Sequence, residues 1–264
     1  VKQKIKTMKK YLFFLLCPLF LLAADCNDSE VQPVETGTLE LNFKPAFGTD
    51  PLVMYARAYP YEAGVKVKWQ LFRFYLSDIS IDHKDKAMQA GKTIIKDIEL
   101  IDFEAIQSDL QVKDGITITF DKVPVDDYQA ILFGVGVSKK LNETNPGFYA
   151  PGHPLGDNYW SAALGYVFTK IEGNADKDGD DNFESKLTFH AGGDPYYRKV
   201  NFEKDFTIKP NETTRLNFEV DLRAVLVRNQ NDFLDFRKVT IDHTTKPEIA
   251  TFISDNLVNA ITLQ

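Results

Sequence analysis

A chain of 264 residues, 44% hydrophobic and 12% aromatic, carries enough apolar surface for one large core or two small ones. Its 38 acidic against 31 basic side chains give a formal net charge of -7, which argues against a nucleic-acid partner, because phosphate binding draws on clustered Lys and Arg. The 2 cysteines, Cys17 and Cys26, both lie near the N-terminus, so the remainder can form no disulfide and offers no thiolate to a metal or a substrate.

The first segment reads as a signal peptide over residues 1–25. Met8-Lys9-Lys10 supplies a positive n-region, Tyr11 to Ala24 an apolar run, and polarity returns abruptly at Asn27-Asp28-Ser29-Glu30. Translation is expected to start at Met8, or at Val1 read from an alternative start codon. The apolar run is too short to span a bilayer comfortably. Ala23 and Ala24 before Cys26 resemble a bacterial lipoprotein signal, in which the cysteine is lipidated and becomes the first mature residue. Asp25, where a small residue is usual, keeps a plain cleaved signal as the rival. Lipid on Cys26 would anchor the protein in the cell envelope, at the outer membrane and facing the periplasm or the surface, without a transmembrane helix. The acidic residues that follow resemble the export tag of surface lipoproteins in Bacteroidetes. Residues 26–36 then read as a lipidated N-terminus and polar tether.

Residues 37–264 read as a single domain. Leu39, Leu41 and Phe43 alternate with Thr38, Glu40 and Asn42, the period of a half-buried strand. Leu71 to Leu76 is apolar on both faces apart from Arg73, as a central strand would be. Ile116 to Phe120, Tyr128 to Val137, Leu164 to Ile171, and Leu216-Phe218-Val220-Leu222 repeat the signal, with Gly, Pro and Asp clusters between them. Many strands separated by turns predict an all-β fold, an antiparallel β-sandwich. At the end of the chain Pro247 suits a first helical turn. Ile249, Phe252, Ile253, Leu257, Ala260 and Ile261 follow at helical spacing, predicting an amphipathic helix over about 247–261.

Two kinds of candidate site stand out. In the acidic stretch after Leu164 to Ile171, Asn174, Asp176, Asp178 and Asp180 place oxygen ligands at alternate positions around Gly179, as a calcium site requires. Glu184 comes one residue before the position of a closing bidentate carboxylate, which Ser185 occupies. The competing reading is a solvated hairpin turn. The chain has 4 histidines. His190 ends a strand and precedes Ala191-Gly192-Gly193, where small residues leave backbone and imidazole open to a ligand. His243 lies near the end of a strand-like run before the helix, His153 between two prolines, and His83 beside Asp82, Lys84 and Asp85 in what reads as a solvated turn. No hydrolase elbow, phosphate loop or dinucleotide fingerprint is present, so a binding protein is expected rather than an enzyme.

Several blocks carry a resemblance. Gly37-Thr38-Leu39-Glu40-Leu41-Asn42-Phe43, Phe74-Tyr75-Leu76-Ser77-Asp78-Ile79, Tyr159-Trp160 with Gly165-Tyr166-Val167-Phe168 and Ile171-Glu172-Gly173, Phe189-His190-Ala191-Gly192-Gly193, and Val220-Asp221-Leu222 are similar, in order, to successive blocks of the MbnP-like proteins. The resemblance runs from Gly37 to Val227, and His243 with Ser254-Asp255-Asn256 resembles the tail of Bacteroidetes members. It implies a secreted, β-rich protein that binds copper through histidines and a tryptophan oxidised to kynurenine by a partner haem enzyme. Carried onto this chain, it implies His190 as first ligand, His243 as second, His153 as third, and Trp160 as the modified or packing aromatic. Family members often carry a methionine before the aromatic-tryptophan pair and a second tryptophan two residues on. Here those positions are Asn158 and Ala162, which leaves a second reading open. In it the copper site has been lost and the chain is a surface module for a glycan or a protein, stabilised by calcium, with Tyr159, Trp160, Tyr196 and Tyr197 as a stacking platform.

Overall fold

Period-two alternation at the start of the domain becomes β1 (Thr36–Phe47), followed by β2 (Asp50–Pro51), β3 (Ala58–Pro60), β4 (Lys66–His83) and β5 (Lys92–Asp102). Then come β6 (Ile116–Pro124), β7 (Asp126–Val135), β8 (Tyr159–Ser161), β9 (Gly165–Asp176), β10 (Ser185–Gly192), β11 (Arg198–Ile208) and β12 (Thr213–Asp221). The last strands are β13 (Val227–Asn229), β14 (Asp232–Phe233), β15 (Ile241–His243) and β16 (Ile261–Leu263). Four short α-helices interrupt them: α1 (Asp109–Asp114), α2 (Lys139–Asn142), α3 (Leu222–Leu226) and α4 (Pro247–Ala260). The computed structural model describes residues 34–85 and 91–264. The expected signal peptide, Cys26 and residues 27–33 of the tether lie outside the described residues.

The strands form a β-sandwich, as the alternation predicts. One sheet has the order β16-β12-β1-β2, with β6 also on β1; the other runs β11-β7-β4-β9-β10-β15, with β3 and β5 on β4 and β8 on β9. Leu39, Leu41 and Phe43 of β1 are fully buried between the sheets. Phe43 stacks on Phe218 of β12 at 4.8 Å and meets Phe133 of β7, from the other sheet, edge-on at 6.4 Å. Close packing of this kind, with its large aromatic area, is the main favourable term holding the two layers together.

The sandwich departs from the expected antiparallel pattern in two places. β1 and β12 are parallel over Thr38–Ala46, and β10 and β15 are parallel over Thr188–His190. Alternation reports which face a side chain takes, and it is the same for both strand directions. A second correction concerns His83. It is the last residue of β4, fully buried against the Tyr128 ring, with Nδ1 2.7 Å from Asp126 Oδ2 and Nε2 2.8 Å from Thr93 Oγ1. The surrounding charges suggest a solvated turn, but β5 and β7 pair with β4 on both sides out to Asp82 and enclose the ring.

The larger sheet carries apolar packing on its second face as well. Tyr75 alternates with the core residues Phe74 and Leu76, and so points away from the sandwich interior. There it joins Ile98, Val137, Leu155, Tyr166 and Phe168 in a smaller cluster, to which the long β7–β8 connection contributes Val137 and Leu155. At the C-terminus α4 buries Ile249, Ile253 and Leu257 and packs on α3. No helix among the described residues is long and apolar enough to cross a membrane.

Candidate metal site

The outer face of the larger sheet brings the sequence candidates together. Phe189 and Ala191 of β10 point into the core, so the intervening His190 must point out. Strand register then sets its neighbours: Lys170 of β9 lies opposite on one side and His243 of β15 on the other, and Lys170 is itself opposite Arg73 of β4. Residues opposite one another in a sheet share a face with their Cβ atoms about 4.5–5.5 Å apart. The two imidazoles accordingly sit side by side, ring centroids 4.7 Å apart and tilted by 58°. Trp160, in the short strand β8 that pairs with β9, presents itself to His243 edge-on at 5.8 Å.

His190 Nε2 is 2.7 Å from Glu172 Oε1, and no other hydrogen bond engages a ring nitrogen of His190 or of His243 among the described residues. Burial pushes the His190 pKa below the usual imidazole value; Glu172 opposes this, and His243 and Lys170 add to it. A neutral imidazole with a free lone pair is the form that binds a metal. Burial also lowers the pKa of the Lys170 amine, with Arg73 adding to the effect.

Gly192 and Thr244 hold this geometry, and Thr244 carries no functional signal in the sequence. A Cβ on Gly192 would lie 2.5 Å from the Tyr166 carbonyl oxygen and 2.9 Å from Val167 Cα. The glycine two residues after His190 therefore admits the β9 backbone, where the sequence suggests space for a ligand. Thr244, at φ 58°, donates from Oγ1 to the His190 carbonyl at 2.8 Å and accepts from the Gly192 N–H at 3.2 Å. Glu172 falls within the Ile171-Glu172-Gly173 block, but nothing in that block marks it as the partner of His190. The signal was the hairpin itself: folding the chain about the acidic loop sets Glu172 opposite Thr188, two residues from His190.

The remaining candidates have partners of their own. His153 stacks on Tyr149 with centroids 4.1 Å apart, and its Nδ1 accepts from the Leu155 N–H at 3.1 Å. Asn158, at φ 61°, donates from Nδ2 to the Tyr75 hydroxyl at 3.0 Å, and that hydroxyl donates to the Pro154 carbonyl at 2.7 Å. Ala162 is exposed in the turn between β8 and β9. Tyr159, Tyr196 and Tyr197 pack against the outer apolar cluster and do not stand free as a platform.

In the acidic loop Asp176, Asp178 and Asp180 bring carboxylate oxygens within 4.8 Å of one another, the one such grouping of three among the described residues. Asp176 is buried, and its oxygens accept from the Gly179 N–H at 2.7 Å and the Asp181 N–H at 3.1 Å. Burial alone would raise its pKa; those N–H groups outweigh burial and bring it below the usual value. Asp180 is held by Asn182, whose N–H and side-chain amide donate at 2.9 and 2.7 Å, while Asp178 is pushed up by Asp180. Asn174 donates to the Phe183 carbonyl at 2.7 Å, and Glu184 is exposed.

The family described as MbnP matches residues 36–247 of this chain. Among solved structures the chain is similar to MbnP from Methylosinus trichosporium, with 16% identity and a TM-score of 0.50, over 73% of this chain and 78% of that one. At that identity the likeness is one of fold. No curated protein matches the sequence.

Proposed function

The chain belongs to the MbnP family, and from that premise we propose that it is an extracytoplasmic copper-binding lipoprotein that holds the metal at His190 and His243 and catalyses no reaction. The observation that carries this reading is the pair of imidazoles set side by side by the β10–β15 register, with Trp160 against the second ring. Their donor chemistry fits the metal. Imidazole nitrogen suits copper, and two or three such ligands suffice for copper(I).

Trp160 supports the reading in a second way. An indole N–H donates but offers no usable lone pair, whereas kynurenine would present an aryl amine and a ketone to the metal. A haem enzyme acting on Trp160 is the partner that the family resemblance implies. His153, held by Tyr149 and the Leu155 N–H, is the weakest of the three proposed imidazole ligands. Lipid on Cys26 would keep the site at the outer membrane, where copper could be received or passed on.

Copper(I) titration of the purified protein tests the proposal, with His190→Ala and Trp160→Phe as controls. Loss of binding in His190→Ala is expected; unaltered binding in both variants would overturn it. The convergence of Asp176, Asp178 and Asp180 favours a second reading, a surface ligand-binding module stabilised by calcium at that loop. A calcium-dependent rise in Tm that is absent from Asp178→Ala with Asp180→Ala would favour it.

A further inference from the structure

We propose that Glu172 is the positioning residue that leaves Nδ1 as the one nitrogen of His190 open to a metal. The inference rests on the copper reading for the identity of the metal, but not for the orientation of the ring.

The contact is short and shielded: His190 Nε2 lies 2.7 Å from Glu172 Oε1, with the two side chains 14% and 27% exposed. A carboxylate only accepts, so Nε2 carries the hydrogen, and a neutral imidazole then has its lone pair on Nδ1. Turning the ring over would replace Nε2 by a carbon at that position and break the bond. Glu172 is itself anchored in the middle of the sheet, opposite Leu71 of β4 on one side and Thr188 of β10 on the other. Its carboxylate does not complete a ligand set, because Glu172, His190 and His243 do not bring their ligand atoms within 4.8 Å of one another; only the Asp176 grouping does so among the described residues. Glu172 therefore acts through His190, as outer partners of metal-binding imidazoles commonly do.

Two measurements on the full chain test this, comparing wild type with Glu172→Gln and Glu172→Ala. In the metal-free protein, nitrogen-detected NMR of the imidazole reports which nitrogen of His190 is protonated. Wild type should show hydrogen on Nε2, Glu172→Gln should keep it because the amide oxygen still accepts, and Glu172→Ala should give a mixture of tautomers. In copper(I) competition titrations Glu172→Ala should bind about 10- to 100-fold more weakly, with Glu172→Gln close to wild type and thermal unfolding matched across all three. Hydrogen on Nδ1 in wild type, or an unchanged tautomer in Glu172→Ala, overturns the inference. If wild type takes up no copper, the copper reading fails while the NMR comparison still decides the role of Glu172.

Discussion

Thr244 clamps His190 from behind: its hydroxyl donates to the His190 carbonyl at 2.8 Å, one residue after His243 has been laid opposite the same histidine. A β-branched residue at φ 58° sits in the left-handed region, where such side chains are rare and the backbone costs about 1–3 kcal/mol. The clamp joins two strands that share only three register pairs, so much of the alignment of the two imidazoles depends on it.

Replacing Thr244 with Ala should remove both hydroxyl hydrogen bonds and destabilise the fold by about 1 kcal/mol. Copper(I) affinity should fall several-fold as β15 loosens. Chemical denaturation and copper competition on the same sample check this; a loss of stability with unchanged affinity would show that the clamp does not set the imidazole pair.

Gly192→Ala should be more damaging than its size suggests. The added methyl would meet the Tyr166 carbonyl oxygen at 2.5 Å, and that atom belongs to the backbone and cannot rotate aside. Overpacking of this kind costs about 1–3 kcal/mol. Urea unfolding should show the loss, and the NMR signals of His190 should shift, because β9 and β10 must move apart beside it.

The site should weaken in acid. Burial holds the His190 pKa below its ordinary value of 6.5. As pH falls through 6.5 the unfolded chain takes up a proton before the folded one does. The contribution of this group to stability is complete above 6.5 and is lost between 6.5 and the depressed folded value. Copper binding should fall over the same range, because protons compete for the ring nitrogen. Stability measured from pH 8 to pH 5 should decline less in His190→Gln than in wild type; equal slopes would remove His190 as the source.

Asn158→Met should destabilise the β7–β8 connection. It would leave the Tyr75 hydroxyl without its donor and place an unsuited side chain at φ 61°. The expected loss is about 1–2 kcal/mol. A variant as stable as wild type would mean that Asn158 has no structural role there.

Asp176→Ala should lower Tm in the presence of a calcium chelator as well as in its absence, because the carboxylate accepts two loop N–H groups by itself. If chelation erases the difference between variant and wild type, the carboxylate matters chiefly through a bound ion.

Much of the architecture could be read from local pattern. Leu39, Leu41 and Phe43 announce a strand with one buried face, and Pro247 followed by Ile249, Ile253 and Leu257 announces a helix with one buried face. His83 misled because charge on its neighbours describes exposure only where nothing packs over them, and β5 and β7 both do. Glu172 and Thr244 were hidden for a related reason: each acts on His190 from another strand or strand end, and neither carries a signal in its own surroundings.

The sequence by itself determined which face a strand such as Thr36–Phe47 buries, where the last helix lies, and that no cysteine thiolate is available as a metal donor beyond Cys26. Those properties follow from side-chain type and from periods of two and 3.6 residues, which are local. Only the tertiary structure decided that β10 pairs in parallel with β15, bringing His190 beside His243, whose ring meets Trp160, while His153 stacks on Tyr149. Pairing of distant strands depends on which surfaces bury one another once the whole sheet has closed, and no window of sequence contains both partners.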